Sequence, residues 1–281
     1  MEDYLLLDSG QGRKLEKFGA YILSRPCSQA VWKPQLSQKE WDKADAVFSR
    51  EQENKWTYKK TLPDVWQITA AGLNFKISPT DFGHLGIFPE QIPYWKWIQN
   101  TLKTAKSDIK PRVLNLFAYS GGSTLAAAKG GAAVCHLDAS KGMVTWAREN
   151  ANLNHLEHAP VRWIAEDVKK FLGRELKRGS RYEAIILDPP TFGRGTNGEI
   201  FKIEEEIVPL LRDCRSLLSE NPLFILFSCH TPGFSPIVMQ HLMSQMSEGL
   251  KGSFEVGEMV LSGLRGTFEV PSGTFAKWTV S

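Results

Sequence analysis

A chain of 281 residues with 42% hydrophobic and 23% charged side chains is ordinary for a soluble globular protein, with length for one large domain or a medium domain carrying an appendage. No apolar run approaches the ~20 residues of a membrane span, and the opening MEDYLLLDSGQGRKLEKFG lacks the regions of a secretory signal, so a cytoplasmic location without membrane partners is expected. The net charge of +3 permits a nucleic-acid partner without requiring one; the scattered Cys27, Cys135, Cys214 and Cys229 lack paired metal or redox spacing, so free thiols and no metal are expected.

Up to about Lys76, strand-like runs at 20–23, 65–69 and 73–77 lie among charged segments such as 39–60, which predicts a small α+β or β-rich unit. Six tryptophans fall in this third (Trp32, Trp41, Trp56, Trp66, Trp95, Trp97); core packing is their commoner use, and stacking on bases the alternative. From Pro111 onward, apolar strands at 113–117, 133–137, 161–165, 184–187 and 223–227 alternate with helical stretches at 124–129, 141–152, 168–176, 199–218 and 236–246. Such repeats predict a parallel sheet with helices on both faces, and strands at 254–260 and 275–280 add an antiparallel edge. The boundary is placed between domains 1–92 and 93–281.

In NLFAYSGGST the turn Ser120-Gly121-Gly122 joins the first of these strands to a helix. Glycines there let backbone approach a ligand, and the helix amino terminus favours a carboxylate or phosphate. The turn is neither GxGxxG nor a P-loop with its lysine, which disfavours a dinucleotide enzyme or an NTPase. Three acids then end successive strands: Asp138 in AVCHLDAS, Asp167 in WIAEDV and Asp188 in IILDPPTF. Each alone reads more readily as a helix N-cap. Together with the glycine turn they predict a row of carboxylates along the ligand-binding edge of the sheet.

NLFAYSGGST, HLDASKGMVTWARENANLN, EDV and LDPPTF resemble the successive motifs of class I S-adenosylmethionine-dependent methyltransferases, in particular the bacterial 23S ribosomal RNA cytosine-5 family. AAGLNFKISPTDFGHLGIFPEQ is similar to the segment preceding the catalytic domain there, with Ile92 in place of an arginine. The resemblance runs from about Leu73 onward, without the N-terminal RNA-binding PUA module of many relatives. It implies an α/β, Rossmann-like fold, with a mostly parallel seven-stranded sheet, an antiparallel edge strand and a small N-terminal α+β or β-rich domain. It also implies S-adenosyl-L-methionine as cofactor and a base in ribosomal RNA as substrate. Asn115, Phe117, Tyr119, Ser120, Gly121, Gly122 and Ser123 would surround the methionine part. Asp138, with Ala139 and Ser140 beside it, would hold the ribose, and Asp167 the adenine amino group with Val168 beside the ring. Asp188 and Pro189 would border the methyl, with Phe88 and Gln91 covering the cofactor.

Two chemistries remain open. Cys229, in LFSCHT, stands where cytosine-5 relatives carry a nucleophile, whose thiolate adds to carbon 6 and activates carbon 5. A buried, inert thiol is the bland alternative, and strand alternation sets His230 on the opposite face. Asp188-Pro189-Pro190 instead suits transfer to a guanine or adenine amine, although Thr191 takes the usual tyrosine place and Phe192 follows. A catalytically silent cofactor- or RNA-binding module is a further class, disfavoured by retention of the turn, the acids and the DPP motif. The loop TFGRGTNGEIFK, basic at Arg194 and Lys202, is a candidate flap or a plain surface loop. His155 and His158 read as surface residues, and the oligomeric state stays open.

Overall fold

The computed structural model describes residues 2–51, 54–105, 110–195 and 198–281. The chain divides into two compact units, Met1–Ile92 with Val260–Ser272, and Pro93–Met259 with Gly273–Ser281.

The first unit contains β1 (Tyr4–Gly10), β2 (Arg13–Phe18), β3 (Tyr21–Pro26), α1 (Gln38–Trp41), β4 (Ala46–Ser49), β5 (Lys55–Tyr58) and the hairpin β6 (Trp66–Ala70) and β7 (Leu73–Ile77). The first five strands form one sheet in sequence order, antiparallel except for the parallel β3–β4 pair. Only β3, β6 and β7 were legible as strands. β2 reads RKLEKF, and its polar appearance hides a buried ion pair: Glu16 is fully buried and takes the Arg25 Nε at 2.8 Å and Nη2 at 2.9 Å. Tyr4 donates to the same carboxylate at 3.0 Å. Residues 260–272, assigned by the single boundary to the second domain, belong here instead, because Leu261 and Val270 pack in one apolar cluster with Leu6, Cys27 and Ala30.

In the second unit α2 (Ile92–Thr104) precedes β8 (Arg112–Leu116), α3 (Gly122–Lys129), β9 (Ala133–Asp138), α4 (Lys141–Leu153), β10 (Val161–Ala165), α5 (Val168–Lys177) and β11 (Ala184–Leu187). Then come β12 (Phe192–Arg194), β13 (Ile200–Lys202), α6 (Ile203–Leu217), β14 (Phe224–Cys229), α7 (Pro236–Met246), β15 (Gly252–Leu261) and β16 (Val270–Val280). The seven-stranded sheet has the order β10-β9-β8-β11-β14-β16-β15; its first five strands are parallel and β16 runs antiparallel to β14. This is the Rossmann-like, mostly parallel sheet that the alternating pattern implied, with a strand-rich unit preceding it. Buried parallel strands are continuous apolar runs, which is why β11, buried along its whole length, was readable to the residue. α5, α6 and α7 bury Phe171, Leu210 and Met239 against Leu114, Leu187 and Phe227. On the other face α2 sets Trp97 edge-on to Phe224, ring centres 4.9 Å apart, and Tyr94 against Phe275 at 4.9 Å.

In the second unit the helices depart from expectation at two places. α2 was not foreseen, and the helix expected from residue 199 begins at Ile203 because β12 and β13 pair as an antiparallel hairpin. Among the described residues no helix is long and apolar enough to cross a membrane, and all four cysteines are buried free thiols.

Each unit carries one buried carboxylate with a depressed pKa. Burial opposes the charge of Glu16, but Arg25 and Lys14 outweigh it and hold the group at about 2. Burial likewise opposes the charge of Glu175, and hydrogen bonds from Tyr182, Ser180 and Arg178 hold it at about 2. Both folded values lie below the ordinary 4.5, so the stability they contribute is complete above that pH and drains away as pH falls towards about 2. Urea titrations across that window are expected to show a falling midpoint, with a shallower fall in Tyr182→Phe, which removes the 2.7 Å bond to Glu175 Oε2.

Candidate active site

Successive strands β8, β9 and β10 step to one side of the sheet and β11 and β14 to the other, so strand order reverses between β8 and β11. Ligands of open parallel sheets bind beyond the strand carboxyl ends at this point. The register aligns the candidate residues there: Leu116 pairs with Leu137 and with Leu187, Asp138 with Ala165, and Leu187 with Phe227.

The turn after β8 is strained. Phe117 and Tyr119 have φ of 56° and 49°, left-handed values that cost a non-glycine residue on the order of 1–3 kcal/mol and cluster at ligand clamps. Four hydrogen bonds impose this shape. Ala118 N–H donates to Leu137 O at 3.0 Å, and Gly121 N–H to Ala118 O at 3.0 Å. Tyr119 N–H donates to Asp138 Oδ2 at 2.9 Å, and the Asn150 amide donates to Ser120 O at 2.9 Å. Asp138 Oδ1 accepts the Ser140 N–H at 2.8 Å. Burial pushes the Asp138 pKa up, and those two backbone donors oppose the rise.

The two glycines of the turn serve different needs. Gly121 has φ of 93°, open to glycine at little cost, whereas a Cβ on Gly122 would lie 2.3 Å from the Trp95 ring. The absence of a side chain at Gly122 therefore makes room for a buried tryptophan. The N-cap of α3 is Gly121, which has no side chain to cap it, and the first N–H groups lie at the switch point; such a terminus can hold a carboxylate like that of the methionine part of the expected cofactor. With half-buried Phe117, Tyr119, Ser123, Asp138 and Ala139 around it, the turn fits that group.

Several residues expected at the cofactor also have partners within the protein. Asn115 is 2% exposed and donates to Thr124 Oγ1 at 2.8 Å, and that hydroxyl lies 2.9 Å from Nδ1 of His136. Burial drives His136 down to about 3, so this ring is neutral and structural. Val168 is 5% exposed within the apolar core. Asp167 fulfils the cap role, its Oδ1 accepting Lys169 and Lys170 N–H at 3.0 and 3.1 Å, while its side chain stays half-buried beside the row of acids. Ser140 caps α4. Phe88 and Gln91 lie in the first unit, at a short 3-10 turn (Pro89–Gln91), with the Phe88 ring 5.3 Å from that of His84.

At the other end of the row, Asp188 is half-buried and its Oδ1 lies 3.5 Å from His230 Nε2. Pro189 is buried beside it. The Thr191 and Thr231 hydroxyls meet at 2.8 Å and join the ends of the two chain segments. Cys229 is 1% exposed, enclosed with Met239 and Met243 in the apolar cluster, and burial pushes its thiol pKa up. The loop read as flap or surface loop is the β12–β13 hairpin; its Thr196 and Asn197 lie outside the described residues. Phe201 of this hairpin packs on Phe117 at 5.2 Å, Arg194 lies over the exposed Phe192 ring, and Glu199 pairs with Lys170 of α5.

Sequence reasoning missed Asn150 and Thr231. Asn150 had a signal, a polar residue on the α4 face that buries Val144, Ala147 and Ala151; Thr231 had none. Among the described residues no group of three or more His, Cys, Asp or Glu is placed to hold a metal ion.

Residues 36–239 match the family model described as S-adenosylmethionine-dependent methyltransferase. The crystal structure of the SAM-dependent methyltransferase from Agrobacterium tumefaciens superposes with a TM-score of 0.94 at 40% identity, covering 100% of this chain and 91% of that one. The ribosomal RNA large subunit methyltransferases K/L of Hahella chejuensis and Marinobacter nauticus are 34% and 31% identical over 57% and 70% of this chain. The chain spans only 21% and 25% of their lengths.

Asp138→Asn is expected to abolish most of the rise in Tm that S-adenosylhomocysteine gives the wild type, because it disturbs both the turn and the acid. Gly122→Ala is expected to lower the Tm of the free protein by overpacking against Trp95, a cost of about 1–3 kcal/mol. Differential scanning calorimetry with and without the ligand checks both.

Proposed function

The chain belongs to the S-adenosylmethionine-dependent methyltransferase family, and on that premise we propose that it methylates a base in RNA, at a nitrogen presented to Asp188. The observation that carries the acceptor assignment is the contrast at the ends of β11 and β14: Asp188 lies half-buried 3.5 Å from His230, while Cys229 is sealed in the core. An RNA substrate draws support from the two relatives named as ribosomal RNA methyltransferases, of which this chain spans between a fifth and a quarter.

S-adenosylmethionine supplies an electrophilic methyl group on a sulfonium. The task of the protein is to align a nucleophile behind that methyl and to manage one proton. In this reading Asp188 accepts a hydrogen bond from the N–H of the acceptor, which directs the nitrogen lone pair and polarises the group. His230, beside the carboxylate, fixes its orientation. Pro189 and Pro190 remove two backbone donors from the loop, so the carboxylate and carbonyls present acceptors to an amine. The strained turn and Asp138 position the cofactor, with Asp167 further along the row. Phe192, exposed on the hairpin, offers a stacking face for the base.

The carbon-5 chemistry needs a thiolate, and the apolar enclosure of Cys229 disfavours one. The two chemistries separate cleanly. With labelled S-adenosylmethionine and RNA from a strain lacking the gene, Asp188→Asn is expected to lower transfer roughly 10²-fold or more while retaining the thermal response to S-adenosylhomocysteine. Cys229→Ala is expected to keep transfer near the wild-type rate. Loss of transfer in a folded, cofactor-binding Cys229→Ala protein would reinstate the carbon-5 mechanism.

A further inference from the structure

We propose that the first unit carries a subsite for one pyrimidine nucleotide of a single-stranded RNA, in the cavity between β2, β3, β4 and the segment 82–90. This rests on the RNA reading above and assigns part of the substrate to residues of the first unit. The cavity has a volume of about 150 Å³. A space of ~150 Å³ holds a single six-membered aromatic ring, which matches the size of a pyrimidine.

Its walls suit a nucleotide. The Phe48 ring, 1% exposed, and the Arg25 guanidinium form the buried side. Arg25 is held rigidly, bidentate on Glu16 and donating from Nη1 to Gly83 O at 3.1 Å. Lys14 Nζ lies 3.2 Å from the same carboxylate. The exposed rim is Arg50, His84 and Phe82, the last 74% exposed. Three cations, Lys14, Arg25 and Arg50, thus face two carboxylates, Glu16 and Glu90, which leaves a net positive charge with the exposed Arg50 at the opening. Phe82 and the His84 imidazole supply sequence-tolerant stacking faces, and Arg50 supplies a phosphate contact; this pairing of aromatic platform and cation is the means by which proteins take up unpaired strands.

A protein partner would not call for a ring-sized cavity beside a lone exposed cation and two ring faces. A free pyrimidine nucleotide shares the chemistry of the strand, and its affinity separates the two sources. The test is fluorescence anisotropy of the full chain with labelled oligouridylate and oligoadenylate, with uridine monophosphate as competitor, at low and at physiological salt. Oligouridylate is expected to bind more tightly than oligoadenylate. Phe82→Ala and Arg50→Glu, both at exposed positions, are each expected to weaken binding roughly tenfold, and Arg50→Glu also to flatten the salt dependence. The rise in Tm with S-adenosylhomocysteine stays at its wild-type size in both. Equal binding by the variants and the wild type, equal affinity for the two homopolymers, or uridine monophosphate binding as tightly as the strand overturns the subsite and leaves the RNA reading standing. Failure of the wild type to bind either homopolymer or ribosomal RNA overturns both.

Discussion

The hydrogen bond from Tyr119 N–H to Asp138 Oδ2, 2.9 Å long, is the constraint on which the site depends. It ties the end of β8 to the end of β9 beside the place where strand order reverses, and it holds Tyr119 in a backbone conformation that a tyrosine avoids when free. The remaining features follow from the turn it fixes. Asn150 takes the Ser120 carbonyl from behind, Gly121 supplies the left-handed step, and bare Gly122 lets Trp95 seat the start of α3. The amino terminus of α3, which follows β8, and the Asp138 carboxylate, which ends β9, thereby stand at the ends of neighbouring strands. Because the Asp138 bonds are made to backbone, neighbouring side chains can change while the geometry persists.

Much of the second unit was legible because central parallel strands buried on both faces are written as unbroken apolar runs, as in 184–187, which matches β11 to the residue. The first unit was hidden for the opposite reason. Its sheet buries charge: Glu16 against Arg25 inside RKLEKF, and Asp8, 1% exposed, accepting Trp41 Nε1 at 2.9 Å and Leu36 N–H at 2.8 Å. Paired charges erase the alternation by which a half-buried strand is recognised. The segment 260–272 joins that unit from the far end of the chain, a long-range contact that no local pattern encodes.

The acids of the site were legible as strand ends, and their number and phase pointed to one edge. Their division of labour was not. Asp167 both caps α5 and stands in the row, so the bland and the functional readings of that residue hold together. Asn115 and Gly122, which read as cofactor contacts, also serve packing, the one in a buried polar pair with Thr124 and the other by leaving room for Trp95, since a strand-to-helix turn must satisfy its own packing as well as meet a ligand. The chemistry of Cys229 was undecidable from its position, because burial alone separates a nucleophile from an inert thiol. The enclosure of that thiol and the half-buried Asp188 carboxylate beside His230 are what the proposed nitrogen acceptor rests on.

The central claim is that an RNA base receives the methyl group at nitrogen. Mass spectrometry of nucleosides from the ribosomal and transfer RNA of a deletion strain tests it most directly. The account predicts one missing N-methylated nucleoside, restored by the wild-type gene and not by the Asp188→Asn gene. A full complement of methylated nucleosides, or the loss of a carbon-5-methylated pyrimidine instead, would contradict it.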